Sequence, residues 1–219
     1  MKVTGDVVLK RGKDVPLKRG HLWVFSGAIE YAHEEVENGD LVRVINSHDE
    51  LLGYGHFHEG GSIAVRIISQ DNEISESFWK ERIQSCKDVR SQAGFPSVHT
   101  NCYRLVHGEG DGLPGLIIDV YDKVIVVQCH TSGMEKSIVE IKTALQQLFE
   151  PEHIAVQDGK GNYLENSKPS GTTRILEYGV PFEIDWEDSQ KTGFFLDQRE
   201  NRKLVGTLSK GKKVLNLFC

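Results

Sequence analysis

A chain of 219 residues with 38% hydrophobic and 26% charged residues is long enough to bury one or two real cores, and no run in it is apolar enough to read as a membrane span or a signal-peptide core. Four scattered cysteines without a Cys-x-x-Cys pair argue against a disulfide framework and fit a reduced, cytoplasmic protein. The net charge of −6 argues against indiscriminate nucleic-acid binding, but it is unevenly spread: Met1 to Trp23 holds six basic against two acidic residues, Ser189 to Lys213 holds seven against two, and the middle is strongly acidic. A basic front and back around an acidic middle could grip RNA at two separated places.

Residues 1–72 read as small all-β. Val7-Val8-Leu9 is a short strand, Asp40 to Ile45 alternates after the Asn38-Gly39 turn signal, and Leu51 to Phe57 and Ile63 to Ile68 follow at hairpin spacing. Gly53 and Gly55 inside a strand pattern mark a bulge or a tight barrel bend. Arg19, His21 and Trp23 put a cation, a hydrogen-bonding ring and a stacking plane close together, the mixture that holds RNA by phosphate contact and base stacking. Lys10, Arg11 and Lys18 extend the basic surface. The bland alternative makes Trp23 core and the cations solvated turn residues.

Across residues 73–100, Ser75 to Ala93 is a helix. Ser75 or Ser77 caps it, Trp79, Ile83, Cys86, Val89 and Ala93 form its apolar stripe, and Gly94 with Pro96 stops it. Its charged opposite face suits a solvated linker helix, and Cys86 on the stripe is core rather than nucleophile. Residues 101–187 read as a central α+β unit of β-β-α-β-β type. Tyr103 to Tyr121 is strand, Gly-rich turn, strand, and Lys123 to Gln128 pairs back. Ser132 caps a helix with Glu135, whose stripe is Ile138, Ile141, Leu145 and Leu148, and His153 to Gln157 and Thr173 to Asp185 add strands. The turn Gly108 to Gly115 carries Glu109, Asp111 and Pro114, so it is a poor anion cradle and reads instead as a turn lining an RNA path. Residues 158–170 are a loop.

Near the end, Asp197 is a candidate N-cap with Glu200 as its capping-box partner, and Leu204 and Leu208 would form a buried stripe. Val214 to Cys219 suits a buried parallel strand. Such a strand needs a crossover and a partner, so residues 188–219 read as the incomplete start of a further domain. The final run is expected to pair with another chain or to dock on the central unit.

These motifs carry a resemblance. Leu9-Lys-Arg-Gly-Lys, Arg19-Gly-His-Leu-Trp-Val-Phe-Ser-Gly-Ala-Ile and Asn38-Gly-Asp-Leu-Val-Arg-Val with Leu52-Gly-Tyr-Gly resemble a PUA domain at the head of the ribosomal large-subunit RNA cytosine-C5 methyltransferases. Arg104 to Leu116 is similar to the hallmark of that family's central domain. Lys191-Thr-Gly-Phe-Phe-Leu-Asp-Gln-Arg-Glu-Asn-Arg and Val214-Leu-Asn-Leu-Phe-Cys resemble the entry to its S-adenosylmethionine-binding, Rossmann-like domain. The resemblance implies an α+β chain made of a PUA-like β pseudo-barrel, a linker helix, a central domain and the beginning of a methyltransferase domain. It implies S-adenosylmethionine as cofactor, with Phe195, Asp197, Gln198 and Arg199 near its methionine end, and ribosomal RNA as partner. A second copy of the chain is a further candidate partner; a membrane is not.

Cytosine-C5 methylation needs a thiolate that adds to the ring. In the family that cysteine lies beyond Cys219, so no catalytic residue is assigned within residues 1–219, and the chain by itself is expected to be inactive. The loose pairs His56/His58, His99/Cys102 and Cys129/His130 lack structural-zinc spacing, and no metal is assigned. The competing reading is a non-catalytic RNA-binding module; a solitary apolar strand at Val214 to Cys219 weighs against it.

Overall fold

A computed structural model describes residues 2–70, 74–164 and 166–217. The N-terminal unit runs β1 (Gly5–Leu9), α1 (Val15–Lys18), β2 (Trp23–Phe25), β3 (Ile29–Ala32), β4 (Leu41–Ile45), β5 (Leu51–Phe57) and β6 (Ile63–Ser69). Its sheet has the order β2-β6-β5-β4-β1-β3, with β1 parallel to β4 and the other pairs antiparallel. Val7, Leu9, Val24, Val42, Val44, Val65 and Ile67 fill its core. Gly53 and Gly55 mark a close crossing, as their place in the pattern predicts. A Cβ at Gly53 would sit 2.6 Å from the Ser69 carbonyl oxygen, one at Gly55 2.4 Å from that of Arg66, and the β5–β6 register shifts between Tyr54 and Gly55.

α2 (Phe78–Gln92) follows. It is not a solvated linker: Phe78, Trp79, Ile83 and Cys86 share one core with Leu41, Tyr54 and Ile68 of the N-terminal unit and with the central strands. Val89, expected on the buried stripe, is exposed.

The central unit holds β7 (Cys102–His107), β8 (Leu116–Tyr121), β9 (Val124–Cys129), α3 (Ser132–Lys136), α4 (Ile138–Phe149), β10 (His153–Asp158), β11 (Thr172–Glu177) and β12 (Val180–Asp185). Three strands precede the helices, and β11–β12 is a separate hairpin, so the β-β-α-β-β expectation is one strand short on each side. The main sheet is β10-β9-β8-β7, with β10 parallel to β9. The helical run breaks at Ser137, and Thr131 rather than Ser132 caps it, accepting from the Met134 N–H at 3.4 Å.

Strand alternation gives this sheet two buried faces. Tyr103, Leu105, Ile118, Val120, Ile125, Val127, Ile154 and Val156 face α2 and α4. Cys102, Tyr121, Val124, Val126 and Ala155 face the β11–β12 hairpin, Trp186 and Leu196.

The last helix, α5 (Arg199–Leu208), follows a 3₁₀ turn at Leu196–Gln198. That turn puts Gln198, not Asp197, at the N-cap, and Glu200 accepts from the Tyr178 hydroxyl instead of closing a capping box. Leu204 and Leu208 are 56% and 67% exposed, because the described residues offer that face no neighbour. Val214 to Leu217 form no strand, and Leu215 is 80% exposed. Among the described residues the run therefore does not dock on the central unit, against that arm of the expectation: no sheet edge of this chain reaches it, and a parallel strand without a ladder has nothing to hold it. Phe218 and Cys219 lie outside the described residues.

Candidate nucleic-acid interface and cofactor-side motif

On the N-terminal unit, Pro16 opens the short α1, where its fixed φ and missing N–H cost nothing. α1 and β2 then enclose a groove of about 490 Å³ lined by Lys13, Pro16, Leu17, His21, Trp23 and Phe25. Trp23 meets His21 and Phe25 edge-on at ring-centroid distances of 5.8 and 6.4 Å. The Trp23 backbone N–H donates to His21 Nδ1 at 3.1 Å, and Phe25 is 48% exposed. Arg19 and His21 border an adjoining cavity of about 450 Å³.

The expected RNA-binding residues thus divide. His21 and Trp23 come together in the groove, and Arg19 stands at the adjoining cavity, which shares His21 with the groove. Lys10 lies beside it and donates to the Gly27 carbonyl at 3.3 Å, while Arg11 is exposed on the turn after β1. Lys18 is held by Glu50 at 2.9 Å and Asp14 at 3.0 Å; the hydrogen bonds it donates to those carboxylates raise its pKa, Glu50 contributing most. Sequence reasoning missed Lys13 and Phe25, which join the groove only because the short α1 and β2 bring them there. Trp23 also donates its indole N–H to Glu109 at 3.0 Å, so the groove is latched to the Gly-rich turn. That turn is stiffened where Asp111 accepts both ends of the Arg90 guanidinium at 2.8 and 2.5 Å.

The second region is the Lys191–Arg202 motif. Lys191 Nζ lies 4.2 Å from the Phe195 ring centroid and 3.4 Å from Asp197 Oδ1, and Gln198 donates to Asp197 at 3.3 Å. Phe195, Asp197 and Gln198 therefore share one exposed surface. Arg199 does not join them. It donates to the Cys102 carbonyl at 2.7 Å and lies over the Phe95 ring at 4.4 Å, its side chain almost wholly covered. Arg202 clasps Glu177 at 2.7 and 2.6 Å and donates to the Phe195 carbonyl at 2.9 Å.

Chemically, the surface formed by Asp197 and Gln198 fits the amino-acid end of S-adenosylmethionine: an exposed carboxylate, held only by long contacts to Lys191 and Gln198, for an ammonium, an amide for either group, and the Phe195 ring for an apolar portion. The Arg199 guanidinium, already committed, does not fit that role. The described thiols cannot act as nucleophiles, since Cys86, Cys102 and Cys129 are buried and burial pushes their pKa values up to about 11, 11 and 12. Among the described residues no helix is long and apolar enough to cross a membrane, and no three His, Cys, Asp or Glu side chains gather as a metal site.

Residues 7–70 match the model of a PUA-like domain. The chain is 35% identical over 231 residues to the ribosomal RNA large subunit methyltransferase I of Pseudoalteromonas atlantica, covering 99% of this chain and 58% of that protein. It is 35% identical over 232 residues to the protein of that name from Shewanella denitrificans, covering 97% and 57%. The chain thus spans somewhat over half the length of these curated relatives. Among solved structures, one described as a SAM-dependent methyltransferase from Streptococcus mutans superposes with a TM-score of 0.75 at 22% identity, over 91% of this chain and 53% of that one; a methyltransferase complexed with SAH superposes equally well. This chain therefore carries a PUA-like domain, shares its fold with those structures, and is similar along nearly its whole length to large-subunit ribosomal RNA methyltransferases.

Proposed function

We propose that this chain is the N-terminal portion of a cytoplasmic, S-adenosylmethionine-dependent methyltransferase that modifies C5 of a cytosine in large-subunit ribosomal RNA. The observation that carries the reading is the similarity along 99% of the chain to a protein named for methylation of that RNA. Within the whole enzyme, residues 1–219 supply RNA recognition and one wall at the cofactor-pocket entrance. The Trp23–Phe25 groove takes an unstacked base, and Lys10, Arg11, Lys13 and Arg19 take phosphates. Asp197, Gln198 and Phe195 hold the amino-acid end of the cofactor, and Arg199 supports them from behind. S-adenosylmethionine, when bound, supplies the methyl group. The attacking thiolate is none of Cys86, Cys102 or Cys129, and residues 1–219 alone are expected neither to methylate RNA nor to bind the cofactor tightly, because they supply one wall of its pocket.

The test is methyl transfer from labelled S-adenosylmethionine to ribosomal RNA by the full-length protein, with the product nucleoside identified by mass spectrometry. The expected product is 5-methylcytidine, with no turnover by residues 1–219 and no micromolar cofactor binding to them by calorimetry. A methyl group on another base would remove the cytosine-C5 assignment. RNA binding by the full-length protein without any methyl transfer would favour the non-catalytic module.

A further inference from the structure

β8 is an apolar strand, Leu116-Ile-Ile-Asp-Val-Tyr121, interrupted by one acid. Asp119 is fully buried on the sheet face that carries the Lys191–Phe195 segment. Directly across the ladder, Arg104 donates to both its oxygens at 2.9 Å, and the Thr192 hydroxyl lies 2.6 Å from Oδ2. Thr192 Oγ1 is also 2.9 Å from the Tyr121 hydroxyl, which is 3.3 Å from the Phe194 backbone N–H.

The proton order in this chain follows from its shortest contacts. A carboxylate only accepts and a hydroxyl has one proton to give. Thr192 gives its proton to Asp119 and so, at the 2.9 Å contact, accepts from Tyr121; the Tyr121 oxygen accepts the Phe194 N–H at 3.3 Å, and the Phe194 carbonyl at 3.4 Å is a longer alternative acceptor for its proton, so either arrangement ties Tyr121 to the Phe194 backbone. Burial, with the Asp119 charge beside it, pushes the Tyr121 phenol pKa up, so it stays a donor. The backbone needs such a hold. Lys191 and Gly193 flank Thr192 at φ +55° and +139°, and a Cβ at Gly193 would sit 2.7 Å from the Trp186 ring; left-handed backbone of this kind persists only where its surroundings impose it.

We infer that Asp119 is a positioning residue: through Thr192 and Tyr121 it holds the Lys191–Phe194 backbone and thereby aims Phe195, Asp197 and Gln198, without touching cofactor or RNA. The catalytic consequence rests on the proposed methyltransferase function; the hydrogen-bond order does not.

Thr192→Val removes the hydroxyl at nearly constant shape, Thr192→Ser restores it, and Asp119→Asn removes the charge. Hydrogen exchange followed by mass spectrometry on residues 1–219 should show the 190–198 stretch exchanging about tenfold faster or more in Thr192→Val and Asp119→Asn, at the original rate in Thr192→Ser, with β8 and β9 unchanged. In the full-length enzyme, Thr192→Val should raise KM for S-adenosylmethionine about tenfold, leave KM for RNA unchanged, and be rescued by serine. Unchanged exchange at 190–198 in Thr192→Val, acceleration spread evenly over the sheet, or failure of serine to rescue would each overturn the assignment. If the full-length protein transfers no methyl group, the exchange result still decides the positioning role and the methyltransferase reading alone falls.

Discussion

His56 shows how much one buried ring can carry. It sits on β5 where α3 docks, with Nε2 3.4 Å from the Ser137 hydroxyl and Nδ1 without a partner. Burial, aided by the nearby Lys136 charge, lowers its pKa from 6.5 to about 4. The folded chain therefore takes up the proton later than the unfolded chain does. The stability that comes from keeping His56 neutral is complete above pH 6.5 and is lost as pH falls from there towards 4, a difference on the order of 3 kcal/mol. Urea unfolding of residues 1–219 at pH 7 and at pH 4.5 should show a steeper loss for the original chain than for His56→Leu. Parallel losses would mean that His56 does not report the join.

At the scale of elements, α3 and α5 make opposite cases. α3 lies so close to β5 that a Cβ at Gly133 would meet His56 Cγ at 2.2 Å, and the join is completed by Asn38 to Ser132 at 3.0 Å and Lys136 to Asp40 at 2.8 Å. Gly133→Ala should cost about 1–3 kcal/mol, read as a fall in Tm of about 2–4 °C per kcal/mol for a chain of this size; an unchanged Tm would show that β5 and α3 can part freely. α5 displays Leu204, Val205 and Leu208 to solvent. In residues 1–219 the pair Leu204→Glu and Leu208→Glu should shift stability by no more than about 0.5 kcal/mol, whereas Ile141→Ala in the buried stripe of α4 should cost about 2–5 kcal/mol. A large loss from the α5 pair in chemical denaturation would mean that this face is covered in solution.

For the whole molecule, a net charge of −6 leaves RNA affinity to a local basic surface rather than to an overall field. Binding of structured ribosomal RNA to residues 1–219 should weaken steeply with salt through counterion release. Arg19→Ala should reduce affinity about equally across sequences and lower the salt slope by about 1. Lys18→Ala should do less, since Asp14 and Glu50 already balance that charge. Filter-binding titrations over a salt series check both; a flat slope, or a Lys18 effect as large as that of Arg19, would place the RNA elsewhere.

Much of this architecture is legible from periodicity, because a strand's two faces and a helix's stripe are written locally. The strands at Val7, Asp40, Leu51 and Ile63, the α2 and α4 helices, the bend at Gly53 and Gly55, and the core place of Cys86 all follow from that alone. The short α1, β2 and β3 do not, since elements of three or four residues have no periodicity to read and exist only through their neighbours. Nor does the exposure of α5: an amphipathic pattern says which face wants cover, not whether cover is present. Position in three dimensions also decided that Gln198 rather than Asp197 caps α5, that Arg199 turns inward to Cys102, and that Phe25 and Lys13 share a groove with Trp23. The acid within Leu116–Tyr121 is visible in the sequence as an anomaly. Its partner Thr192 is not, because the two lie 73 positions apart, and no local pattern records which buried donor a buried carboxylate will find.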